Sequence, residues 1–143
     1  PVPLDPLPTI AYDGSVTLIS PELAGFRSDR LGEFHCGNVI NEPLDNLIIH
    51  GLHSTWVREY FEGINQCQQI CPYFTFCGGG HPANRYFEHG RLDGTQTNYC
   101  RNSKIALMEG VLTSAYRIAR ASGSSTPQRD RSACPRPSQP HGC

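Results

Sequence analysis

Residues 67–100 read CQQICPYFTFCGGGHPANRYFEHGRLDGTQTNYC, and the fold turns on how this stretch is used. Cys67, Cys71, Cys77 and Cys100 stand in the pattern C-x3-C-x5-C-x22-C. Three close thiols and a distant fourth suit a centre that wants four thiolates in a tetrahedron: three from a tight loop, the last from a neighbouring segment. Iron–sulfur clusters and structural zinc are both held this way. Gly78, Gly79 and Gly80 follow, where missing side chains let the backbone pass close to a bulky group. The spacing therefore predicts a metal or cluster loop with those four cysteines as ligands.

The residues around the thiols narrow the reading. The run C-x3-C-P-Y-F-x2-C-G-G-G-x-P-x-N-R-Y-F-E-x-G, followed by T-x-T-x-Y-C-R, resembles the C-terminal SPASM-type domain of radical SAM peptide maturases. The nearest group comprises maturases of glycine-rich-repeat and cyclophane-type ribosomal precursor peptides. ISPELAGFRSDRLGEFHCGNV, residues 19–39, is similar to the same group's S-P-E-L-x-G and G-N-V region. Together these segments span roughly residues 9–115.

The resemblance implies one auxiliary [4Fe-4S] cluster on Cys67, Cys71, Cys77 and Cys100. A full SPASM domain carries two clusters on seven cysteines. Here His81 falls where a further cysteine would stand, and no cysteine precedes Cys36. SAM itself belongs to a C-x3-C-x2-C site in an N-terminal radical SAM barrel. Position 74 is Phe74, so this chain lacks that site. The implied reaction is cross-linking or oxidation of a precursor peptide's side chains. Hydrogen abstraction would occur in the barrel, while this domain relays an electron and walls the peptide channel. The implied partners are thus the precursor peptide and the barrel. The alternative is a binding or structural module folded by Zn2+ on the same thiolates, without redox activity, although zinc knuckles favour C-x2-C over the spacings found here. His81 is a lesser ligand candidate, and Cys36 reads as a free, buried thiol.

Bulk properties exclude other classes. The chain has 143 residues, enough for one modest core, and a net charge of −1 with 17% charged residues. That balance gives no basic face for nucleic acid. No apolar run approaches the ~20 residues of a membrane helix, and no signal peptide is visible. A soluble cytoplasmic protein is expected. Seven cysteines would leave one thiol over in a disulfide framework. The chain begins at Pro1 rather than Met, which predicts a piece of something longer.

An α+β fold is expected, in which a small β-hairpin and the cysteine-rich loop pack on two helices. Residues 1–8 hold four prolines and read as a linker from the barrel; 9–121 form the auxiliary domain; 122–143, rich in Ser, Pro, Arg and Gly, read as a disordered tail with incidental Cys134 and Cys143. Asp13-Gly14 between β-prone runs predicts a two-residue hairpin turn within 9–19. Ser20-Pro21 predicts a capped short turn, and Ser20 and Glu22 are candidates to line a substrate groove. Residues 26–33 read as polar loop, and 44–49 as one or two helical turns. Trp56, Tyr60 and Ile64, with Val57 and Phe61 beside them, mark a helix over 54–65 whose aromatic stripe is core. Residues 85–89 read as extended or irregular. An amphipathic helix is expected over 102–120. Glu22, Glu33 and Glu42 show no acid–base pairing in the sequence.

Overall fold

The computed structural model describes residues 7–122. The linker reading of residues 1–6 and the tail reading of 123–143, with Cys134 and Cys143, lie outside the described residues.

The α+β expectation holds: among the described residues two small antiparallel hairpins precede a series of helices. Strand β1 (Thr9–Ile10) pairs with β2 (Val16–Thr17), Thr9 opposite Thr17 and Ile10 opposite Val16. The connection is not the expected two-residue turn. A type I′ turn needs positive φ at both central residues, and Asp13 is not among the positive-φ residues; Gly14, at φ 85°, is. Instead Asp13 turns its carboxylate back to accept from the Ser15 backbone N–H and hydroxyl at 3.0 and 2.7 Å. The loop thereby widens to residues 11–15.

Pro21–Leu23 form a single 3-10 turn. The stretch read as polar loop is a second hairpin, β3 (Arg27–Ser28) with β4 (Gly32–Glu33). Strands two residues long, mostly polar, carry no alternation for a sequence reading to detect.

Helix α1 runs Leu44–Leu52, longer than the one or two turns expected. Helix α2, Thr55–Ile70, extends past the predicted end and carries Cys67 on its last turn. Then come α3 (Phe74–Cys77) and α4 (Pro82–His89). The irregular reading of 85–89 is thus corrected to helix. Pro82 at its first position and Gly90, left-handed just past its end, are the local start and stop signals. A π-helical turn, Cys100–Ile105, leads into α5, Ala106–Ala121.

The chain divides into two compact units at Met108–Glu109. In the first, Leu18, Ile19, Leu23, Phe34, Trp56, Val57, Tyr60, Ile64, Ala83 and Leu92 form one buried cluster. The predicted α2 stripe of Trp56, Tyr60 and Ile64 is indeed core, each large side chain contributing about 1.5–3 kcal/mol by leaving water. In the second, the part of α5 from Glu109 onward has no buried residue, and the Arg120 guanidinium lies 5.7 Å from the Tyr116 ring centre.

Glu59 of α2 ties the second hairpin to the core. Arg30 donates to its two carboxylate oxygens at 2.6 and 2.7 Å, and the Leu92 backbone N–H donates at 2.7 Å. The Arg30 hydrogen bonds, chiefly, hold the Glu59 carboxyl below its ordinary 4.5. A carboxyl depressed by folding stabilises fully above its unfolded pKa, and that contribution is lost as pH falls through the folded value. Thermal melts of the wild type should therefore show stability falling as pH drops below about 4.5, with Glu59→Gln removing that component and costing about 1–3 kcal/mol at neutral pH. Identical acid profiles for the two proteins would refute this role.

Candidate functional site

The four cysteines predicted to act together do line one small pocket, with Tyr73, Phe74, Gly79, Lys104 and Ile105 among its walls. Each arrives differently from the expected loop. Cys67 sits on α2, Cys71 is the residue that ends it, and the Cys71 N–H donates to the Cys67 carbonyl at 2.9 Å. Cys77 closes α3, where Gly78 turns left-handed. Cys100 opens the π-helical turn, its N–H donating to Thr97 Oγ1 at 2.9 Å.

Lining one pocket is not the same as ligating one ion. Among the described residues no group of three or more His, Cys, Asp or Glu side chains is placed to hold a metal ion. This corrects the expectation of a [4Fe-4S] cluster on Cys67, Cys71, Cys77 and Cys100, and equally that of Zn2+. The Cys67 sulfur is instead engaged within the protein, donating to the Thr95 carbonyl at 3.1 Å and accepting from the Arg85 guanidinium at 3.4 Å. Burial pushes the Cys67 thiol up, with Arg85 opposing, and burial likewise pushes up that of Cys100. The electron-relay role attached to the cluster falls with it. No disulfide links the described cysteines.

His81 is not a ligand candidate either: it lies beside Ser20 and Glu22. Cys36 is a free thiol, half-buried rather than buried, and its Sγ donates to the Val16 carbonyl at 3.2 Å. The carboxylates that showed no pairing in the sequence each stand beside an imidazole: Glu22 by His81, Glu33 by His35 and Glu42 by His50.

The residue that sequence reasoning missed is Arg85. It is 1% exposed, and no carboxylate among the described residues pairs with it. Its guanidinium donates to the backbone carbonyls of Leu92 at 2.9 Å, Tyr60 at 3.4 Å and Gly79, and to Cys67 Sγ at 3.4 Å. It also lies 5.2 Å from the Tyr60 ring centre, and the Tyr60 hydroxyl donates to the Gly80 carbonyl at 2.9 Å. One side chain thus joins α2, the glycine loop and the turn after α4 behind the thiol pocket. Gly63 makes this possible. A Cβ there would stand 2.0 Å from Arg85 Nη1 and 2.8 Å from both Asp93 Cα and the Leu92 carbonyl oxygen. The signal in the sequence was Gly63 inside a helix, where glycine costs roughly 1 kcal/mol unless something must pass close by.

Against known proteins the likeness is narrow. An uncharacterised protein of Synechocystis sp. is 29% identical over 93 residues. The match takes in 65% of this chain and 23% of that protein, so the chain spans about a quarter of its relative's length. No family model and no solved structure matches the chain. Among the described residues no helix is long and apolar enough to cross a membrane.

Proposed function

We propose that this chain is an accessory domain of a radical SAM enzyme that cross-links or oxidises side chains of a ribosomal precursor peptide. The observation that supports this most is the convergence of Cys67, Cys71, Cys77 and Cys100, whose spacing resembles the SPASM pattern, on one pocket. The second support is that the two sequence segments carrying the resemblance meet in space, Ser20 and Glu22 of the first touching His81 of the second. The domain's part is to hold the peptide beside the barrel. The pocket and its buried arginine set the glycine loop, residues 78–80, that walls the peptide's path. Hydrogen abstraction belongs to the barrel, and thiols kept reduced suit the cytoplasm.

The test is to produce a radical SAM barrel and a precursor peptide with and without this domain, joined or separate, and weigh the peptide by mass spectrometry. Loss of two hydrogens per cross-link is expected only with the domain present, and the Cys71→Ala/Cys100→Ala pair should abolish it. Equal yields without the domain would overturn the proposal.

A further inference from the structure

The cysteines of the pocket carry a chemistry that the proposed function does not use. Cys67, Cys71, Cys77 and Cys100 border a cavity of about 20 Å3, room for little more than one water molecule. Residues round so small a space are near neighbours. They are not equivalent. Cys67 is buried and its sulfur is taken up by Thr95 and Arg85. Cys77 and Cys100 are half-buried, so a small solute reaches them. Burial first, then Cys77, and only then Cys71, push the Cys100 thiol up, which marks Cys77 as the sulfur that Cys100 feels most.

Two half-buried thiols across a narrow cavity join only if their backbones can approach to about 4.4–6.8 Å between Cα atoms. Both positions allow adjustment. Cys77 is the last residue of the four-residue helix α3, and Gly78, Gly79 and Gly80 follow it, all at positive φ. Cys100 is the first residue of the π-helical turn. Bonding from i to i+5 keeps residues four and five apart on one face, so Cys100, Lys104 and Ile105 all line the pocket. The turn thus presents Cys100 to the end of α3.

We propose that Cys77 and Cys100 are a site of reversible oxidation, joined as a disulfide when the domain meets hydrogen peroxide. One sulfur, as thiolate, attacks a peroxide oxygen; the O–O bond breaks, and the displaced hydroxide takes the thiol's proton and leaves as water. The sulfenic acid so formed is attacked by the second sulfur, whose proton leaves with the sulfenic oxygen as a second water. Two thiols have then given two electrons to one peroxide. The new bond ties the start of the glycine loop to the π-helical turn across the 22 residues between the pair. A thiol donor reverses it by exchange. The chemistry of the pair stands apart from the cross-linking reaction.

The experiment treats the reduced, folded chain with hydrogen peroxide, then unfolds it, blocks the remaining thiols with N-ethylmaleimide and weighs it. The chain should lose two hydrogens and take the reagent on five thiols, two fewer than its seven cysteines. Chymotrypsin, cutting after Tyr73, Phe74, Phe76 and Tyr99, parts Cys77 from Cys71 and sets Cys100 in a peptide of its own. The wild type alone should therefore yield a linked Cys77–Cys100 peptide that dithiothreitol splits, so the result does not depend on any variant folding. Cys100→Ser should no longer lose two hydrogens, and Cys36→Ser should behave as the wild type. Seven thiols still open after peroxide, a single oxidised cysteine left unpaired, a bond between any other pair or between two chains, or the loss persisting in Cys100→Ser would each overturn the site. A domain that forms the bond but supports no cross-linking would keep this site and sink the enzymatic reading, and the reverse result would do the opposite.

Discussion

Arg85→Met is expected to lower the domain's stability by about 2–4 kcal/mol and to loosen the glycine loop. Two effects oppose each other at this position. Removing a buried guanidinium recovers the free energy spent in drying a charge, and such charges replaced by apolar side chains sometimes leave a protein more stable. Here the partners are chiefly backbone carbonyls of Tyr60, Gly79 and Leu92, which no substitution at position 85 can remove. The Tyr60 carbonyl lies inside α2 and keeps its helical donor, but those of Gly79 and Leu92, left without this donor in the interior, cost about 1–3 kcal/mol each, and that sum outweighs the recovered desolvation. Arg85→Lys should fall between, because one ammonium keeps the charge but cannot serve three carbonyls and a sulfur in a planar fork. Chemical denaturation of the three proteins ranks them. Hydrogen exchange should show faster exchange at residues 78–81 in the Met variant before global unfolding. A Met variant as stable as the wild type would show that the carbonyls find other donors.

Gly63→Ala should destabilise by about 1–3 kcal/mol although alanine is the better helix former. The helical gain is at most about 1 kcal/mol. Against it stands a methyl group 2.8 Å from backbone at Leu92 and Asp93, and 2.0 Å from a guanidinium nitrogen that is itself fully buried. None of these is the loose end of an exposed side chain, so relief requires α2 and the turn after α4 to separate, a strain on the scale of an overpacked core. Because part of the clash is with Arg85, the double variant with Arg85→Met should cost less than the two singles added together. Denaturation midpoints of the four proteins give the coupling directly, and strict additivity would show that Gly63 and Arg85 act independently.

How much of this was legible in the sequence depends on the range of the interaction that decides each element. Helix α2 could be read from Trp56, Tyr60 and Ile64 because its periodicity is local and strong. Its C-terminal turn, polar through Gln66, Gln68 and Gln69, carries no such stripe, and Cys67 there reads as part of a loop. Helix α4 announced itself at Pro82 and Gly90, but the glycine run and aromatic residues around it masked the pattern. The second hairpin offered almost nothing, since strands of two polar residues are made by their pairing rather than by their composition.

The candidate site divides the same way. The sequence by itself determined that Cys67, Cys71, Cys77 and Cys100 belong together, because their spacing is a property of the chain. It also determined the α+β class and the aromatic core stripe, both carried by residues within a few positions of one another. Only the tertiary structure decided that Cys67 donates to the Thr95 carbonyl, that Arg85 is buried against backbone carbonyls, and that His81 turns from the thiols toward Ser20 and Glu22. These depend on which segments lie against each other across 18 to 61 residues of chain. A charged or polar side chain takes whatever partner the packed backbone places within about 3 Å, and no local pattern records that distance.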